Sequence, residues 1–214
     1  MTRRTAPIGD AVAKPIALVV EGEAEYGALP ILVRNAGGRA VNPIIFRGQF
    51  VSAIDRLAVE RIAPRVRLAM HKNVAKVVVV LDREQRSECA PEVASIVAEA
   101  VRQSLRDKYS YDGTPPVVVV CADLSMENWL LADAEGLAAC RLLSRQPSVG
   151  SRTNVDGRDA LRALKNACRP GRSYQKRRDA PILAERVRVT DASVRQRSRS
   201  LRKFLKEACL AVHP

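Results

Sequence analysis

Residues 77–85 read VVVVLDREQ: four valines and a leucine run directly into Asp82, Arg83 and Glu84. An apolar run of this length, closed by polar residues, predicts a strand buried on both faces, as in the parallel sheets of α/β proteins. The same design occurs twice more. Ile16–Val20 ends at Glu21 in IALVVEGEAEY, and Val117–Cys121 leads, six residues on, to Glu127 in CADLSMENWLLAD. In an open parallel sheet, ligands sit in the crevice beyond the carboxyl ends of the strands. Acidic groups gathered there are either a metal site or an electrostatic problem.

Working outward from these strands, a short helix is predicted around Ala24–Asn35, ended by Gly37 and Gly38. A further strand falls within Ala40–Phe46. From Phe50 onward, Val51, Ile54, Leu57, Ala58, Ile62 and Val66 mark one face of a helix. Val93, Ile96, Val97, Ala100, Val101 and Leu105 mark another, with Pro91 in its first turn. The alternating order gives an α/β sandwich, a mostly parallel sheet of about four strands flanked by helices. Residues 1–15 read as a flexible N-terminus and 16–139 as the core. Residues 140–214 read as a basic helical C-terminal extension packed on it. Within the extension, Gln146–Asn154 is a loop, and helices are expected near Gly157–Cys168, Ala180–Val187 and Ser193–Leu210.

Charge is unevenly placed. Of the net +13, residues 140–214 hold 19 Lys or Arg against 6 Asp or Glu, whereas residues 1–139 hold 17 of each. A one-sided excess of this kind suits a surface that meets a polyanion, with a solvated helical face as the plainer alternative. Five cysteines, odd in number and never paired as C-x-x-C, argue against a disulfide framework or a zinc site and for a reducing compartment. No apolar run approaches the ~18 residues that span a bilayer. The expected location is the cytoplasm, with no membrane partner.

The strand-end acids suit hard-cation chemistry. Mg²⁺ takes oxygen ligands and is commonly held by one or two carboxylates plus substrate phosphates. Two such ions roughly 4 Å apart can activate a water and stabilise a leaving oxygen in phosphodiester cleavage. Glu21, Asp82, Glu84 and Glu127 are the right groups. Glu84, two beyond Asp82, shares its side if the chain stays extended. Gly22 permits a tight turn, and Glu25, one helical turn past Glu21, can reach back toward the same place. Other phosphate chemistries lack their motifs. No G-x-x-x-x-G-K-[ST] accompanies VVVVLD, no G-x-G-x-x-G follows the first strand, and G-x-S-x-G is absent.

The motif set resembles the Toprim domain, the catalytic fold of topoisomerases, primases and nucleases related to overcoming-lysogenization-defect proteins. Glu21-Gly22-Glu23-Ala24-Glu25 fits its E-G-x-x-[DE] motif, and Asp82-Arg83-Glu84 its acidic pair, with Glu84 where many such domains carry a second Asp. More narrowly, the chain is similar to an uncharacterised bacterial Toprim-like family across residues 16–206. Glu127-Asn128-Trp129-Leu130-Leu131-Ala132-Asp133, Tyr174-Gln175-Lys176, Ala180-Pro181-Ile182-Leu183 and the closing SRSLRKF of Ser198–Phe204 carry that similarity.

The resemblance implies a Mg²⁺- or Mn²⁺-dependent nuclease acting on DNA or RNA, in prokaryotic anti-phage defence with an ATPase partner. Glu21, Asp82, Glu84 and Glu127 would hold metal, with Glu25 in support and Lys176 stabilising charge on the scissile phosphate. Tyr174, Lys176, Arg177, Arg178, Arg195, Arg199 and Arg202 would grip nucleic acid, the phenol by stacking and the cations through phosphates. Trp129 reads as a core anchor that holds Glu127, and Asp133 as a helix-surface residue. Two other classes stay open: a catalytically inactive nucleic-acid-binding or scaffold subunit, and a phosphatase or nucleotidyltransferase using the same acids.

Overall fold

The computed structural model describes residues 14–47, 54–84, 86–149 and 154–209. The expected flexible N-terminus, Val51 and Leu210 lie outside these residues, apart from residues 14 and 15. Four strands, β1 (Ile16–Val20), β2 (Ile44–Ile45), β3 (Lys76–Asp82) and β4 (Val117–Ala122), form one all-parallel sheet in the order β2-β1-β3-β4. The mostly parallel α/β architecture expected from the sequence is the one observed. β1 pairs with β2 on one side and with β3 on the other, so the direction of winding reverses between β1 and β3. That reversal is the topological switch point, where ligands of such sheets bind.

The side-chain period of two sorts the valine runs between two cores. Ile16, Leu18, Val20, Val78, Val80, Val120 and Ala122 face one layer, with helix α1 (Glu23–Asn35) and the C-terminal helices. Ala17, Val19, Val77, Val79, Leu81, Val119 and Cys121 face the other. That second layer holds α2 (Ile54–Leu57), a π-helical turn at Ala58–Ile62, α3 (Ala63–Met70) and α4 (Ala90–Tyr109). The first layer is completed by α5 (Glu127–Leu131), α6 (Ala134–Ala138), α7 (Ala160–Ala167), α8 (Lys176–Ala184), α9 (Ala192–Arg197) and α10 (Arg199–Ala208). Leu164, Leu183, Leu201 and Phe204 of these helices lie in the same buried cluster as β1.

Helix α1 ends as its glycines predict. Gly37 takes φ +80°, its N–H reaches the Arg34 carbonyl, and the Gly38 N–H reaches the Val33 carbonyl, each at 2.9 Å. This is the paired bonding of a Schellman cap.

Three expectations change. The helix predicted over Ser193–Leu210 is two helices, broken at Ser198, whose backbone is extended (φ −141°, ψ 115°). The cause is Asp156, which no local pattern reveals. Its Oδ1 accepts from the Ser198 hydroxyl at 2.6 Å, and its Oδ2 accepts from the Arg199 N–H at 2.8 Å. Ser198 in turn caps α10 through the Leu201 N–H at 3.0 Å. Helix α8 starts at Lys176 and not near Ala180, because the buried Asp179 carboxylate accepts the Gln175 N–H at 2.9 Å. Asp133 is fully buried and not on a helix surface. It caps α6 and receives Arg188 Nη2 at 2.6 Å.

Trp129 is the anchor expected of it. Its ring is fully buried and stacks on Phe204 at 4.8 Å between centroids, and its indole N–H donates to Ser200 Oγ at 2.8 Å. The SRS triplet thus joins α5, α10 and Asp156 in one network.

α8 lies against α1 at a point that only glycine allows: a Cβ on Gly27 would stand 2.6 Å from Pro181 Cγ. Gly27→Ala should therefore destabilise the fold by roughly 1–3 kcal/mol through overpacking. In thermal melts, restoration by the double variant Gly27→Ala/Pro181→Ala would assign the loss to this contact. An unchanged melting temperature in the single variant would show that the two helices part freely.

Candidate functional site

Glu21 follows β1 directly and Asp82 closes β3, so the two flank the switch point. Asp82 shares parity with Val78 and Val80, which turns it toward the layer of α1, α5 and α8. It is 8% exposed, and its Oδ1 accepts the Met126 N–H at 2.8 Å, just ahead of α5. Glu21 Oε2 receives a long 3.4 Å bond from the Asp82 N–H. Arg83 has the opposite parity and points away, to Asp123 at 2.7 Å.

Glu25 is the third residue of α1, and its Oε2 accepts the Gly22 N–H at 3.0 Å, one half of a capping box. Gly22 has extended backbone and not the special turn expected of it (φ −147°). Its lack of a side chain matters because a Cβ would lie 3.2 Å from that same Glu25 oxygen.

Glu127 is the first residue of α5 and has no exposed surface. Lys176 Nζ pairs with Glu127 Oε1 at 3.4 Å, and the buried Tyr174 hydroxyl lies against the same carboxylate, so both groups bear on Glu127 at hydrogen-bonding range. Neither contact has the geometry of a well-formed hydrogen bond. Lys176 opens α8 and keeps 47% of its side chain exposed, so the ammonium bridges the acids and the solvent.

Electrostatics follow from this crowding. Burial raises Glu21 from 4.5 to about 7, with Glu84 and Glu25 adding to the rise. Burial also raises Glu25, helped by Glu127, and holds Asp82 well above the usual carboxylate range, helped by Glu25, Glu127 and Glu21. Partial burial works against charge on Lys176, but Glu127 and Asp82 outweigh it and lift the ammonium above its ordinary value. Burial, then Glu127, keeps the Tyr174 phenol protonated.

The structure thus gathers Glu21, Glu25, Asp82, Glu127 and Lys176, and adds Tyr174. Tyr174 is a correction: at 5% exposure its ring belongs to the core and offers no face for a base to stack on. Glu84 stands at the rim. Its side chain is exposed and its backbone left-handed (φ +54°), so the chain does not continue extended from Asp82 to place both acids alike. Arg177 and Arg178 sit at the start of α8, Arg195 on α9, and Arg199 and Arg202 on α10, outside the acidic group. Arg178 is tied to Asp179 at 2.9 Å. Asp156 and Asp179, which position the surrounding helices, carried no motif of their own.

Carboxylate oxygens are the donors a hard divalent cation takes, and Glu21, Glu25, Asp82 and Glu127 lie together here beside Lys176. Among the described residues no three Asp, Glu, His or Cys side chains close into a formed metal site. The hydrogen bonds explain this in part, since Asp82 and Glu25 are each turned onto a backbone N–H.

The chain is therefore an α/β sandwich with an acidic cluster, bridged by Lys176, at its switch point. It belongs to the family described as Domain of unknown function (DUF4276), which matches residues 20–207. That span covers every acid of the site and Lys176. No curated protein and no solved structure matches the chain. Among the described residues no helix is long and apolar enough to cross a membrane.

The raised carboxyls fix a sign for pH dependence. Between pH 4.5 and about 7 the native chain keeps a proton on Glu21 that the unfolded chain releases. Stability is then greatest below that window and falls as pH rises through it, by about 3 kcal/mol for this group. Melts of metal-free protein from pH 5 to 8 should show a declining midpoint, with a shallower decline for Glu21→Gln. A flat or rising profile would contradict the assignment.

Proposed function

We propose that this chain is a Toprim-like nuclease that uses Mg²⁺ or Mn²⁺ to cleave phosphodiester bonds in DNA or RNA. The observation that carries the reading is Glu127: a fully buried carboxylate at the switch point, with Lys176 and the Tyr174 hydroxyl beside it and Asp82 and Glu25 within electrostatic reach. Glu21, Asp82 and Glu127 would hold the cation, with Glu84 at the rim as a further acid. Bound there, a divalent ion supplies Lewis-acid stabilisation of charge on a phosphodiester.

The chain's own groups supply the rest. Lys176 stays protonated and presents its ammonium toward solvent, where it can meet a phosphate oxygen. Tyr174 stays neutral, so its hydroxyl can donate to Glu127 or to an incoming oxygen. Glu25 holds the turn after β1 through Gly22 and adds negative charge beside Asp82. Arg177, Arg195, Arg199 and Arg202 contribute to the basic surface that attracts the polymer, with little reading of sequence and a steep loss of binding as salt rises. Five free cysteines suit a reducing cytoplasm. The motif resemblance suggests anti-phage defence with an ATPase partner as the setting.

Two observations favour a second reading. Glu84 is exposed at the rim, and the buried acids do not close into a formed site. Both suit a binding or scaffold subunit that has kept the fold and lost the chemistry.

Purified protein, alone and with its ATPase partner, should cleave plasmid, single-stranded DNA or RNA only when Mg²⁺ or Mn²⁺ is present. Asp82→Asn and Glu127→Gln should each reduce cleavage more than ~100-fold. In metal-free protein Asp82→Asn should also flatten the fall of the melting midpoint with rising pH, because it removes a carboxyl whose proton the folded chain retains. Absence of cleavage of any polymer with either ion would overturn the nuclease, and absence of Mn²⁺ binding in calorimetry would leave the scaffold.

A further inference from the structure

The two edges of the sheet differ. The β2 edge is two residues long, whereas the β4 edge presents Val117–Ala122, six residues with no lysine, proline or bulge among them. Natural proteins blunt a long apolar edge with such devices, or cover it. Along β4 the direction of each backbone group is fixed by its neighbour. Val77 donates to the Pro116 carbonyl and Arg83 to the Ala122 carbonyl, both at 2.9 Å, so the even-numbered residues turn their backbone toward β3. Val117, Val119 and Cys121 turn theirs outward; the Val117 N–H meets the Tyr111 hydroxyl, and no hydrogen bond among the described residues engages the Val119 and Cys121 groups.

This edge is the floor of a groove of about 890 Å³ between α4 and α10. Its α4 wall carries Ala90, Ala94 and Ala98, spaced four apart, which keep that wall low enough for a backbone to approach. Its α10 wall carries Arg199 and Lys203. Arg102 stands further along α4, and neither it nor Arg199 has an ion-pair partner among the described residues. Of the three acids in the groove, Asp123 is engaged by Arg83, Asp156 by the start of α10, and Glu88 accepts from the Ser87 hydroxyl at 3.1 Å.

We propose that this groove binds an extended acidic peptide segment of a partner protein, added as a fifth strand alongside β4. Main-chain bonds to Val119 and Cys121 hold such a strand, and its alternate side chains face the two walls. Apolar residues go to the alanine wall and carboxylates to Arg199 and Arg102, since Lys203 is paired with Glu207 at 2.7 Å. Charge complementarity selects this occupant over a second copy, since two-fold pairing of β4 edges brings the same cations together. Six residues of strand span about 20 Å, enough for a short added strand. The surface is separate from the acidic site, and its test does not depend on nuclease activity.

The probe is a fluorescein-labelled eight-residue peptide alternating valine and glutamate, titrated by anisotropy. Amide exchange in the protein is followed by NMR. The Val–Glu peptide should bind, and the Val119 and Cys121 amides should exchange at least about 10-fold more slowly at saturation. A Val–Lys peptide, a peptide N-methylated at alternate residues, and the surface variant Arg199→Glu should each weaken binding at least about 10-fold. Unchanged amides at millimolar peptide, or equal binding of the N-methylated peptide, would overturn the proposal. So would protection of the same amides by self-association in sedimentation runs, which would assign the edge to a second copy. Protection by an oligothymidine in place of the peptide would assign it to nucleic acid.

Discussion

Four carboxylates and a single lysine crowd the end of the sheet, and most of the local architecture is organised around that imbalance. Like charges at contact distance in a partly buried setting repel by a few kcal/mol, against a total stability of about 5–15 kcal/mol for a typical domain. The chain answers by binding protons: burial and mutual repulsion raise Glu21, Glu25 and Asp82 together. A divalent cation would answer the same demand without protonation.

Holding such a group in place takes a stiff frame, and each wall of it can be traced to particular residues. Parallel pairing of β1 with β3 sets Glu21 beside Asp82. Met126 ties Asp82 to the start of α5, and Trp129 fixes α5 against Phe204 and Ser200. Lys176 arrives from α8, which is pressed onto α1 at Gly27 and shaped by Asp179 with Arg172 and Arg178. The basic third of the chain is thus no appendage: its helices supply the lysine and close the pocket over the acids.

Strand ends were legible because each valine run stops at a carboxylate, and a period of two gives the face on which Asp82 falls. Glu127 was legible from its place after the third valine run and Lys176 only through its motif, since a helix start and a basic turn carry no signal of burial. Tyr174 was misread for that reason: followed closely by Lys176, Arg177 and Arg178, it looks like surface, yet packing turns the ring inward. The break at Ser198 and the burial of Asp133 were beyond local reading. Their partners, Asp156 and Arg188, lie 42 and 55 residues away in the chain. Glu84 looked equivalent to its neighbour until a left-handed backbone set it at the rim.

The most direct measurement is an anomalous difference map from crystals of the chain soaked in Mn²⁺. A peak among Glu21, Asp82 and Glu127, with Asp82 or Glu127 turned away from its present contacts to meet it, is the expected result. A map with no peak at the β1–β3 switch point under saturating Mn²⁺, with Lys176 still paired to Glu127, would contradict it.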